Sequence, residues 1–157
     1  MGALKVLIVE SNPALANLLT QIFRVTRDLE LVGAAPRAAR ALELLAATRA
    51  DVVVMDALLP DMGILEAISL ALEKSPHAKI ILLTDDAESR YQIAAARYGA
   101  SACIRKDRIA TDLIQVVLAA LGKSLKTIEL DPQQDLREAS RYENRDASRH
   151  CVRNDTS

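Results

Sequence analysis

Four short runs in this chain are apolar at nearly every position: residues 6–9, 52–55, 80–83 and 102–104. A strand with one wet face alternates apolar and polar residues, whereas a strand apolar throughout is buried on both faces. Each run is followed by residues at helical spacing. That alternation constrains the fold more than any other feature of the sequence.

The pattern predicts five strand–helix pairs. Strand one covers residues 5–9. Asn12 then stands as a helix cap with Pro13 at the first helical position, and Leu15, Leu18, Leu19 and Ile22 follow on one face. Strand two covers residues 30–34, and helix two runs over about 37–47 with Ala38, Ala41, Leu42 and Leu45 inward. Strand three covers 51–55, and helix three about 65–73. Strand four covers 79–83, and helix four about 88–98, stopped by Gly99. Strand five covers 101–104, and helix five about 111–121, ended by Gly122.

Apolar strands that alternate with amphipathic helices imply a doubly wound α/β sandwich, a parallel sheet covered on both faces. In such sheets function gathers beyond the carboxyl ends of the strands, near the reversal of strand order. The apolar runs end there in polar groups: Glu10-Ser11, Asp56, Thr84-Asp85-Asp86 and Arg105-Lys106-Asp107. A carboxylate at the end of a buried strand, such as Asp56, is costly unless partners or chemistry retain it. Asp51 begins its strand and so belongs to the opposite edge.

Composition narrows the rest. The chain has 157 residues, enough for one domain that needs no disulfide or metal staple. With no Trp and few aromatics, the core must be Leu, Ile, Val and Ala. A net charge of -1 offers no broad attraction to nucleic acid or membrane. Cys103 and Cys151 lack metal-ligand spacing and fit a reducing cytoplasm, and no apolar run is long enough for a membrane span. After Gly122 large apolar residues thin out and opposite charges balance, so residues 123–157 are expected to form a polar tail, disordered or partly helical. Its arginines recur every fourth residue over much of its length, which most simply reflects a solvated segment.

The sequence from about residue 4 to 122 resembles a bacterial response-regulator receiver domain. The resemblance rests on Leu7-Ile8-Val9-Glu10-Ser11-Asn12-Pro13, on Asp51 to Asp56 followed by Pro60, on Ile81-Leu82-Leu83-Thr84, and on Gly99-Ala100-Ser101 leading to Lys106-Asp107. It implies a receiver domain over residues 1–122 with a flavodoxin-like sheet in strand order 2-1-3-4-5. It also implies that Asp56 accepts a phosphoryl group from a histidine kinase or phosphotransfer protein. Lys106 stands where the family's lysine neutralises the phosphoryl oxygens, and Thr84 where a hydroxyl binds the new group. Mg²⁺ would be held by Glu10 and Asp56, since this ion takes oxygen ligands and often only one or two protein carboxylates. Such a domain is a cytoplasmic signalling module. It is not an enzyme beyond its own phosphorylation and dephosphorylation. Its output face is helix four, strand five and helix five, including Arg90, Tyr91, Tyr98 and Arg105, which would meet a downstream protein or a second copy. Direct nucleic-acid binding is not expected of this chain.

The chain departs from the family pattern at several points. Ser11 stands where a second acid normally touches the metal, which implies weakened Mg²⁺ binding. Two charges about 4 Å apart interact by roughly 4 kcal/mol at an effective dielectric near 20. Glu10, one methylene longer than Asp, can partly fill the gap, and Asp85 and Asp86 can add charge. Asp85 follows the hydroxyl where a small residue is usual. Cys103 replaces the aromatic residue that reports phosphorylation, and Gly63-Ile64 replaces an Asp-Gly pair. The alternative is therefore a degenerate receiver, a protein-interaction or dimerisation module independent of phosphorylation. A nucleotide- or flavin-binding enzyme on the same topology is disfavoured, because residues 10–13 after strand one contain no Gly.

Overall fold

A computed structural model of the protein describes residues 2–85 and 95–123. Five strands form one parallel sheet: β1 (Leu4–Val9), β2 (Leu29–Ala35), β3 (Val52–Asp56), β4 (Lys79–Thr84) and β5 (Ala102–Arg105). Their order is β2-β1-β3-β4-β5, as the resemblance implied. The chain steps from β1 outward to β2, returns past β1 to β3, and then builds in the other direction. The reversal lies between β1 and β3, so the residues after Val9 and Met55 flank it.

Successive strand residues point to opposite faces, and the core divides accordingly. Leu7, Val9, Val53, Met55, Ile80 and Leu82 face one cluster, with Ala41, Leu45, Ala67 and Ile68 from α2 (Ala38–Thr48) and α3 (Ile64–Lys74). Val6, Ile8, Val52, Val54, Ile81 and Leu83 face the other. There they meet Leu19 and Phe23 of α1 (Pro13–Val25) and Leu113 and Val117 of the C-terminal helix (Ile109–Ala120). Phe23, the single phenylalanine of the chain, is fully buried. Truncating any of these large side chains to Ala costs about 2–5 kcal/mol.

Helix α1 starts as expected. Asn12 Oδ1 accepts from the amides of Ala14 (2.9 Å) and Leu15 (3.3 Å), and Pro13 occupies the first turn. Helix α2 starts differently. Arg37 offers it no side-chain cap. The cap comes from Asp61, in the loop between β3 and α3, whose carboxylate accepts from Ala38 N (2.9 Å) and Ala39 N (3.0 Å). These amides, that of Ala39 foremost, hold the Asp61 carboxyl below the usual carboxylate range. Gly99 has φ +111°, and a Cβ there would collide with Leu72, so the turn into β5 requires glycine.

Several bounds differ from expectation by a residue or two. Asp56, Thr84 and Arg105 are the last residues of their strands rather than the first beyond them, and Asp51 precedes β3. The C-terminal helix begins at Ile109 because a 3-10 turn (Lys106–Arg108) leads straight into it. It closes with Lys123 N donating to Leu118 O (2.7 Å) and Gly122 at φ +71°, a left-handed end that satisfies otherwise unpaired carbonyls. Residues 95–97 are helical, matching the end of the expected fourth helix. The rest of that helix, with Asp86, Arg90 and Tyr91, and the expected tail beyond Lys123 lie outside the described residues.

Candidate functional site

Glu10, Asp56 and Thr84 are buried polar residues, and all three lie at the carboxyl edge of the sheet. Glu10 directly follows β1 and is tied to β2 by its backbone, Glu10 N donating to Ala35 O (3.0 Å). Asp56 ends β3, and the next residue is anchored to β4 by Ala57 N donating to Leu83 O (2.8 Å). Thr84 ends β4 in register with Arg105, one residue before Lys106. Regular parallel pairing thus delivers four separate segments to one place.

Lys106 joins them. Its ammonium Nζ lies 3.2 Å from Asp56 Oδ1, 3.5 Å from Glu10 Oε1 and 3.8 Å from Asp85 Oδ2. Burial works against its charge, but the Asp56 carboxylate, then Glu10 and Asp85, more than offset this and hold the ammonium above its usual range. Lys106 therefore stays protonated at neutral pH.

Asp56 also serves its own turn: Oδ1 accepts the amide of Leu58 (3.0 Å). Capping and ion pairing thus coexist on one carboxylate. Glu10 Oε2 accepts the amide of Asn12 (3.1 Å), while buried Oε1 has no hydrogen-bond partner. Burial, and then the adjoining Asp56 carboxyl, push Glu10 above its usual range; the Asn12 amide and Lys106 pull the other way.

Oε1, ion-paired with Lys106 at 3.5 Å but without a hydrogen bond, is the feature that fits a cation. A buried carboxylate oxygen without a hydrogen bond is expensive, and Mg²⁺ commonly takes one or two protein carboxylates and completes its shell with water and phosphate. Glu10 and Asp56 suit that role. Among the described residues no group of three or more His, Cys, Asp or Glu side chains forms a fuller cage. Ser11 is exposed.

Glu10, Asp56, Thr84 and Lys106, read from the sequence, are gathered at one edge. Asp51 is at the other, where its carboxylate accepts Lys5 N at 2.7 Å. On the expected output face, Tyr98 is exposed, Arg105 pairs with Asp107, and Cys103 is half-buried against the core cluster of α2 and α3. Sequence reasoning missed Asp61. Its partners are 22 and 23 residues away, and local sequence carries no signal for so distant a cap. The amide of Asn12 on Glu10 was also missed, whereas a strand-end aspartate capping its next turn, as Asp56 does with Leu58 N, is a recognisable pattern.

Comparison with known proteins agrees with this arrangement. Residues 6–118 match the family model described as a response regulator receiver domain. An uncharacterized transcriptional regulatory protein of Bacillus subtilis, YhcZ, is 30% identical over 112 residues, covering 71% of this chain and 52% of that protein. A protein-glutamate methylesterase/protein-glutamine glutaminase of Myxococcus xanthus is 37% identical over 87 residues, covering 55% of this chain and 24% of its own length. The chain thus spans about half or less of these curated relatives. The response regulator domain of Thermotoga maritima CheB superposes with a TM-score of 0.71 at 24% identity, covering 78% of this chain and 99% of that one, which speaks to the fold. The sheet order, the acidic edge with its lysine and the family match over most of the chain lead to one conclusion: this protein belongs to the response regulator receiver domain family of two-component signalling.

Proposed function

We propose that residues 1–122 form a phospho-receiver in which Asp56 accepts a phosphoryl group from the phosphohistidine of a kinase or phosphotransfer protein. The observation that carries this reading is the buried Asp56 carboxylate with the Lys106 ammonium 3.2 Å away, at the switch edge of the sheet. In the proposed step a carboxylate oxygen of Asp56 bonds to phosphorus as the phosphorus–nitrogen bond breaks. The imidazole nitrogen keeps the electron pair and later takes a proton from solvent. Lys106 neutralises the transferred oxygens, and the Thr84 hydroxyl donates to the new phosphoryl group. Glu10 and Asp56 would hold Mg²⁺, which when bound supplies positive charge to oxygens crowded around phosphorus. Receiver domains generally use this ion, and here Ser11 makes its binding weak.

The added charge of roughly -1.5 to -2 would then bias a two-state surface. We assign that surface to the face containing Tyr98 and Arg105, toward a downstream protein or a second copy. Balanced charge supports protein contact rather than direct nucleic-acid binding. The module is read as non-enzymatic beyond its own phosphorylation and dephosphorylation. A cytoplasmic setting fits a phosphohistidine donor, and among the described residues no helix is long and apolar enough to cross a membrane. The test is a small phosphodonor with millimolar Mg²⁺, read by intact mass. Wild type gains one phosphoryl group and Asp56→Asn gains none; an unmodified wild type, by donor and by phosphorylated kinase alike, sinks the proposal.

Ser11 favours a second reading, a degenerate receiver that binds partners without phosphorylation. A partner whose affinity changes when Asp56 alone is phosphorylated would count decisively against it.

A further inference from the structure

The groups around Lys106 form a gradient of exposure. The Glu10 side chain is 0% exposed, Asp56 6%, Lys106 20% and Asp85 70%. All three carboxylates lie within 3.8 Å of the same ammonium. Glu10 and Asp56 therefore hold Lys106 from inside, and Asp85 meets it from the solvent side. An ammonium has three donors and a single charge. A phosphoryl group arriving from solvent needs those donors, and it meets Asp85 first.

We propose that Asp85 sets donor specificity: it competes with an incoming phosphoryl group for Lys106 and so selects against small, strongly anionic phosphodonors. The inference rests on the phospho-receiver reading. In the reaction concerned, an Asp56 oxygen bonds to the phosphorus of acetyl phosphate, the phosphorus–oxygen bond to the acetyl group breaks, and acetate leaves with the electron pair. Asp85 forms no bond in this step. It acts through Lys106 and through its own charge at the entrance, so it is a positioning residue. Its effect should lie in donor capture rather than in the maximal rate. It should also shrink with salt, because an exposed charge is screened beyond about 10 Å at 0.1 M ionic strength.

The test compares wild type, Asp85→Asn and Glu30→Gln, which removes an exposed charge at the start of β2 and corrects for net charge. Phosphorylation by acetyl phosphate and by the less anionic phosphoramidate is followed by intact mass at low and high salt, with saturating Mg²⁺. For Asp85→Asn the donor concentration at half-maximal rate should fall about threefold with acetyl phosphate. It should fall less with phosphoramidate and less at high salt, with the maximal rate little changed. Equal values in wild type and Asp85→Asn overturn the role of Asp85 and leave the receiver reading standing. A weaker donor affinity in Asp85→Asn also overturns it, and assigns the carboxylate to cation binding instead. No phosphorylation of any of the three proteins overturns both.

Discussion

Two aspartates bracket the same strand, and they serve opposite ends of the molecule. Asp51 precedes β3 and Asp56 ends it, with Val52, Val53, Val54 and Met55 buried between them. Asp51 is exposed enough to need little more than a backbone partner, its carboxylate accepting Lys5 N from the start of β1, and its backbone ties β1 to β4 through Asp51 N to Lys5 O (2.8 Å) and Lys79 N to Asp51 O (2.9 Å). Asp56 is more deeply buried, shares a pocket with a second acid, and depends on a lysine that arrives 50 residues later in the sequence, 106 minus 56. Residue type does not separate the two; strand direction does. In a parallel sheet one edge collects strand beginnings and the other strand ends, and the loops at the second edge are free to carry chemistry.

The largest expected effect contrasts the two directly. Asp56→Asn should abolish phosphoryl uptake from a small donor, whereas Asp51→Ala should retain it. Comparable loss in both would mean that uptake follows general integrity of the sheet rather than the switch edge. Next in size is the missing acid. Restoring it as Ser11→Asp should tighten Mg²⁺ about tenfold or more, since a further charge near a divalent ion contributes over about 1 kcal/mol even with strong screening. Calorimetric titration that gave the same affinity for both proteins would show that Glu10 already makes good the loss.

Asp51→Ala should then lower stability by about 1–2 kcal/mol in urea denaturation, through the charge-assisted bond to Lys5 N. An unchanged midpoint would remove Asp51 from the scaffold. The smallest effect concerns Glu10. Burial and Asp56 raise its carboxyl above the ordinary 4.5, so the folded protein binds this proton more tightly than the unfolded chain. Stability therefore falls as pH rises from about 4.5 through the raised folded value, and levels off above it. Glu10→Gln should flatten that slope while weakening Mg²⁺. A slope identical to wild type would place the pH dependence elsewhere.

Much of the fold was legible because the apolar runs and helical periods are strong local signals that agree with one another. The cap at Asn12-Pro13, the glycine at residue 99 and all five strands follow from residues within a few positions of themselves. The candidate site was legible for a related reason. Once strands are parallel, residues that end them must share an edge, so Glu10, Asp56, Thr84 and Lys106 could be grouped without coordinates. Strand ends shifted by a residue because backbone pairing continues as long as a neighbour offers it, as Thr84 does with Arg105.

The amino-acid sequence by itself determined the α/β class, the buried two-faced sheet and the set of polar strand ends, because burial and periodicity act over a few residues. Only the tertiary structure decided how those ends meet. It placed one ammonium between Glu10, Asp56 and Asp85, left Glu10 Oε1 ion-paired but without a hydrogen bond, and brought Asp61 across to cap α2. Distances of 3–4 Å between side chains far apart in sequence depend on sheet register and side-chain rotamers. Periodicity in a single chain does not encode those.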